Sequence, residues 1–222
     1  MIVNGLTVEN ISNANDEFLN AFYKIINKID IKLVNIIKSK NTRIILADKI
    51  SDVYTSKQSK SAFKKEIEAY QEYDSQNSDK LSHGVCSDTI NAICIFSSTT
   101  EIPYMDAILY HEIGHFIDFY DDWGKEDDLS QPLSSKQEFV DAYNNDITMH
   151  WDEIKKDNRF RLIHYIEDSK PNNVSKVGLC ETFAFCFARN NNIPDDIDII
   201  SDYFQETVQS AKKITDEYLM KF

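Results

Sequence analysis

The chain has 222 residues, of which 42% are hydrophobic and 27% charged, with only 5 Gly and 4 Pro. That is an ordinary globular composition for one domain or a core with a short appendage, and it argues against a loop-rich β-sandwich. Lys and Arg total 24 against 37 Asp and Glu, a formal charge of -13, so the surface repels nucleic-acid phosphates and anionic membranes and leaves a protein or peptide as the expected partner.

The N-terminal stretch MIVNGLTVENISNANDEF has no basic start, no long apolar block and no small-residue cleavage site. No window approaches the length of a membrane span. The expectation is a soluble protein without a signal peptide, which stays in the cytoplasm or leaves as an effector by a signal-independent route. From about Asn15 to Lys40, apolar residues at Phe18, Phe22, Ile25, Ile29, Leu33, Ile36 and Ile37 recur with a helical rhythm. Asn13 and Asn15 stand where they can cap its start. Thr42 to Ala47, TRIILA, is short and branched and reads as a strand. Ser61 to Tyr73 reads as a polar amphipathic helix, and YDSQNSDKLSHG as a loop.

Asn91 to Ser97 reads as a second strand, either at a sheet edge or in its interior. Pro103 can open a helix at its first turn, which Met105 to Tyr120 continues. WGKEDDLSQPLSS is a polar connection. Helical patterns then recur at about Lys136–Asp152, Phe160–Glu167, Leu179–Arg189 and Asp195–Lys221. The four cysteines, Cys86, Cys94, Cys180 and Cys186, show no CxxC spacing and read as reduced core thiols. The class is α+β: a small N-terminal sheet with helices, then a mostly helical half. The whole chain, 1–222, reads as one domain, with residues 1–40 an N-terminal helical segment and 41–222 the core.

The stretch YHEIGHFIDFY, Tyr110 to Tyr120, holds two of the five histidines. Residues i and i+4 of a helix share a face, so His111 and His115 can both aim at one cation. Glu112 is rotated onward, within reach of a water on that cation. This is the HExxH arrangement of zinc hydrolases. Ile108, Ile113, Phe116, Ile117 and Phe119 crowd the same helix, and polar groups in a buried helix require partners. A third ligand is needed. The metzincin continuation would place glycine at 118 and histidine at 121, whereas this chain has Asp118 and Asp121. His150 and His164 sit in polar segments beside charged residues. Glu181, in VGLCETFAFCFAR, is the better candidate, because an isolated buried carboxylate must be neutralised. A metal ion would do that; so would an ion pair with Arg159, Arg161 or Arg189. Asp118 shares the face of the two histidines, where it either accepts a histidine N–H or forms a salt bridge.

HEIGHFIDFY followed by ETFAFCFARNNN resembles the catalytic domain of anthrax lethal factor and its small relatives, the Pro-Pro endopeptidases of clostridia. The resemblance runs from roughly Tyr104 to the C-terminus. It implies His111, His115 and Glu181 as zinc ligands, Glu112 as base, and Gly114 and Asp118 in their family places. Phe185 stands where the family often has a second glutamate. Val174 falls near the place of the family's oxyanion tyrosine, and the segment between the two motifs is longer here. Tyr165, with His164 beside it, is the local candidate for that donor; its other role is core packing with Leu162 and Ile166. The expected activity is zinc-dependent endopeptidase cleavage of a selected protein, as a toxin or effector acting on a host protein. The alternatives are a cytoplasmic regulatory metalloprotease cleaving a self protein, and a metal-free binding module derived from such an enzyme.

Overall fold

The computed structural model describes residues 1–55, 83–88, 90–123, 131–157, 169–191, 193 and 202–222. The chain divides into two compact units, Met1–Glu112 and Ile113–Phe222. The class is α+β, as the composition and patterning predict.

The first unit is built on a mixed sheet. Its strands are β1 (Ile2–Val3), β2 (Leu6–Asn10), β3 (Arg43–Ala47), β4 (Gly84–Ser87) and β5 (Ala92–Phe96), in the order β1-β2-β3-β5-β4. The central pairs β2–β3 and β3–β5 are parallel, and the outer pairs β1–β2 and β4–β5 are antiparallel. Asn4 and Gly5 join β1 to β2 with φ of 49° and 77°. Two consecutive positive φ angles make a two-residue turn whose twist matches that of the strands, and Asn-Gly accepts them at little cost. Apart from Arg43, which pairs with Glu9 at 3.0 Å, strands β3 and β5 are apolar. Ile44, Leu46, Ile93 and Ile95 are fully buried on one face, while Ile45, Ala47, Ala92, Cys94 and Phe96 form a cluster with Ile50, Val53 and Ile90 on the other. Burial on both faces is the condition of a central parallel strand. The strand predicted at Asn91–Ser97 is therefore interior, covering Ala92–Phe96, and β4 lies beyond it at the edge of the described sheet.

The helical rhythm from Asn15 to Lys40 is two helices, α1 (Asp16–Ile26) and α2 (Ile31–Ser39). Asn15 caps the first by accepting the Phe18 N–H at 2.9 Å. Asn13 instead donates its backbone N–H to Asp48 at 2.9 Å. The break follows from polar groups that compete for the backbone. The Asn4 amide donates to the carbonyls of Ile26 and Ile29 at 3.1 and 3.0 Å, and Asp30 caps α2 through the Lys32 N–H. A short helix α3 (Ile50–Thr55) follows β3. Gly84, expected in a loop, begins β4. The helices predicted at Ser61–Tyr73 and Phe160–Glu167 lie outside the described residues. Helix α4 (Met105–Asp118) follows a 3-10 turn at Ile102–Tyr104 that carries Pro103, and it takes the chain from the first unit into the second.

The second unit contains the end of α4 with α5 (Gln137–Ile154), α6 (Lys176–Asn190) and α7 (Gln205–Leu219). Helix α7 packs on both α5 and α6. Phe139 meets Phe183 edge-on at 5.4 Å and Tyr143 stacks on Phe204 at 5.6 Å, all four rings buried. A buried polar tie supplements them: Asp146 on α5 accepts the Thr207 N–H and Oγ1–H of α7 at 2.9 and 2.7 Å. All four cysteines are free thiols, with Cys94 and Cys186 buried and Cys86 and Cys180 half-buried. Among the described residues, no helix is long and apolar enough to cross a membrane.

Candidate metal centre

Helix α4 buries Met105, Leu109, Ile113, Phe116 and Ile117 completely. Those positions fix the rotation of the helix, and His111 and His115 come out together on another stripe one turn apart. Neither histidine is fully buried. Helix α6 starts at Ser175, whose hydroxyl accepts the Gly178 N–H at 2.9 Å. It buries Leu179, Phe183, Ala184, Cys186 and Phe187 and leaves Glu181 and Phe185 half-buried on a neighbouring face.

Gly114 explains how α6 reaches the ligand stripe. A Cβ at this position would lie 2.8 Å from the Ala184 Cα, 3.0 Å from its carbonyl oxygen and 3.1 Å from the Phe187 Cβ. The two backbones touch there, which only a residue without a side chain permits. Next to this contact, His115 Nε2 stands 3.4 Å from Glu181 Oε2. One donor atom from each of His111, His115 and Glu181 lies within 4.8 Å of the others, so the three could hold a metal ion. The HExxH stripe and the distal glutamate are thus brought together, 66 residues apart in sequence.

Asp118 lies one turn beyond His115, and only 3% of it is exposed. Ser134 binds both its carboxylate oxygens, donating its backbone N–H at 2.7 Å and its hydroxyl at 2.8 Å. The Ser134 hydroxyl also lies 3.5 Å from Cys180 Sγ. Burial pushes the Asp118 carboxyl up to about 6, against the two Ser134 bonds and the nearby His115. Burial, with the Asp118 charge adding to it, pushes the Cys180 thiol up to about 12. Ser134 sits in the stretch read from sequence only as a polar connection, and a serine in LSS carries no local signal of such a role.

Glu112, between the two histidines, is 7% exposed. The thiols of Cys86 and Cys94 are pushed well above their ordinary range, first by burial and then by the Glu112 charge. His150 is outside the cluster, paired with Glu153 on α5 at 2.9 Å. Arg189 is exposed and lies two turns past Glu181, about 12 Å along the helix axis. Tyr165, His164, Arg159 and Arg161 lie outside the described residues. Neither a protein-family model nor a curated protein matches this chain.

Proposed function

We infer that this chain is a zinc-dependent endopeptidase of the kind its two motifs resemble, the lethal factor catalytic domain and the Pro-Pro endopeptidases, acting on a selected protein substrate. The observation that carries the reading is the convergence of His111, His115 and Glu181 around one point, with Glu112 held between the two histidines of the same helix. The donor set suits zinc: two imidazoles and one carboxylate leave a fourth position open, as catalytic rather than structural sites do. Two ligands at about 2.1 Å from a tetrahedral zinc stand about 3.4 Å apart, the separation already present between His115 and Glu181.

Bound zinc would supply Lewis-acid polarisation of the scissile carbonyl and a lowered pKa for its water. Glu112 is the base that takes the proton of the attacking water and then delivers it to the leaving amine. Its burial takes the carboxylate out of bulk water, which would weaken its electrostatic interactions. Glu181 would balance part of the cation's charge, and the close Gly114–Ala184 contact brings α6 near enough for it to do so. Asp118, clamped by Ser134, places a carboxylate one turn from His115.

The experiment is metal analysis of the purified protein after dialysis, followed by N-terminal labelling of new peptides in treated lysates. One zinc per chain and new termini that vanish with Glu112→Gln are expected; a zinc-free, inert protein would refute the reading. Cleavage in a host lysate or in a lysate of the producing cell distinguishes an effector from a regulatory protease. One observation favours the metal-free binding module: His115 and Glu181 can satisfy each other as an ion pair at 3.4 Å. Full stability of the metal-free protein with no zinc uptake is the outcome that supports it.

A further inference from the structure

Strand β4 contains a glycine where its backbone does not call for one. Gly84 pairs with Ile95 of β5 in ordinary antiparallel register, and its φ lies outside the left-handed region, unlike that of Gly5. Glycine in a strand loses chain entropy and offers nothing to pack. Its use in a strand is to let another group come close to the backbone. Here that group is identifiable. A Cβ built on Gly84 would lie 2.9 Å from the Cγ of Glu112, 2.9 Å from its Oε1 and 2.9 Å from the backbone oxygen of Cys94. Two of the three contacts are therefore to the Glu112 side chain, which fills the space that a residue-84 side chain would occupy.

We propose that Gly84 is a positioning residue for Glu112: its missing side chain is the seat in which the Glu112 carboxylate rests against β4. The neighbourhood encloses that carboxylate. Glu112 is 7% exposed, and the adjacent β4 residue on the same face, Cys86, feels its charge. Any side chain at 84 displaces the carboxylate or the strand. The functional part of this inference rests on Glu112 being the base, as proposed above; the steric part does not.

The test is a double-mutant cycle on thermal stability of the metal-free protein, using Gly84→Ala and Glu112→Ala. Truncating Glu112 removes Cγ and Oε1 but leaves the Cys94 oxygen, so the cycle isolates the Glu112 contact. Gly84→Ala is expected to lower Tm by several degrees in the parent and by less than half as much in the Glu112→Ala background. Equal losses in both backgrounds would overturn the proposal, because the glycine would then serve only the Cys94 backbone. Should Gly84→Ala fail to fold in the parent, folding of the double variant shows the same coupling, and failure of both overturns it. A second readout concerns activity. Gly84→Ala is expected to keep its bound zinc and its KM while kcat falls about tenfold to a hundredfold, as for a displaced reacting group. A kcat within twofold of the parent at full zinc content would sink the positioning role. If the parent itself cleaves nothing, the endopeptidase reading fails while the stability cycle still decides whether Glu112 rests on Gly84.

Discussion

Glu112 and Glu181 are carboxylates beside the same two histidines, and their surroundings differ. Glu181 faces His115 across 3.4 Å and belongs to the donor cluster, whereas Glu112 is rotated off that stripe on α4. Glu112→Gln keeps the size and both hydrogen-bonding atoms but cannot accept a proton at neutral pH. It is expected to retain bound zinc and lose hydrolysis by on the order of a hundredfold or more, the range of general-base deletions. Peptide cleavage within a few-fold of the parent would remove Glu112 from the mechanism. Glu181→Ala is expected to lose zinc on dialysis, since two imidazoles are a poor substitute for a three-ligand site. Full zinc occupancy in that variant would make the His115–Glu181 contact a plain ion pair.

Helices in the second unit are held by contacts that substitution can weigh. Intrinsic propensity favours Ala over Gly inside a helix by about 1 kcal/mol, so Gly114→Ala would stabilise α4 if nothing opposed it. The Ala184 backbone at 2.8 Å does oppose it, and forcing a methyl group into a closed contact costs about 1–3 kcal/mol. The variant is therefore expected to melt lower and to bind zinc more weakly, because α6 must retreat and take Glu181 with it. A higher Tm with unchanged zinc affinity would show that the helices do not meet there. The α5–α7 tie makes a pH-dependent prediction. Burial raises the Asp146 carboxyl above its ordinary 3.8, and the two bonds from Thr207 oppose that rise. A raised native pKa means that the folded protein holds this proton more tightly than the unfolded chain does. The site's contribution is then fully present below 3.8 and is lost as pH rises through the native value. Thr207→Val keeps the backbone bond but removes the hydroxyl, which raises the native value further. Its destabilisation is expected to be about 1.5–3 kcal/mol at neutral pH and to shrink as the solution is acidified. Denaturant melts at two pH values check this, and a loss independent of pH would contradict it.

For the molecule as a whole, a ligand bound only by the folded chain adds stability by mass action. At a hundredfold excess over Kd this is about 2.7 kcal/mol, which for a chain of this length corresponds to roughly 5–10 °C in Tm. Zinc is expected to raise the melting temperature by that order, chelator to reverse it, and Glu181→Ala to abolish the response. The sequence alone determined the α+β class, the branched strands β3 and β5, the apolar stripes of the helices and the placement of His111 and His115 on one face. All of these follow from periodicity and local sterics within one element. It also held the Asn4-Gly5 turn signal, which is short enough to pass unread beside a two-residue strand, so β1 and β2 went unpredicted. The break between α1 and α2 was not legible, because the Asn4 amide that takes the carbonyls of Ile26 and Ile29 comes from another element. Gly84 and Ser134 carried no sign of their neighbours for the same reason. Glu181 could be nominated from its isolation among apolar residues, but its approach to His115 was decided by the backbone contact of Gly114 with Ala184. Tertiary structure decided such matters because packing of one backbone against another depends on which side chains are missing from both, a property that no single stretch of sequence contains.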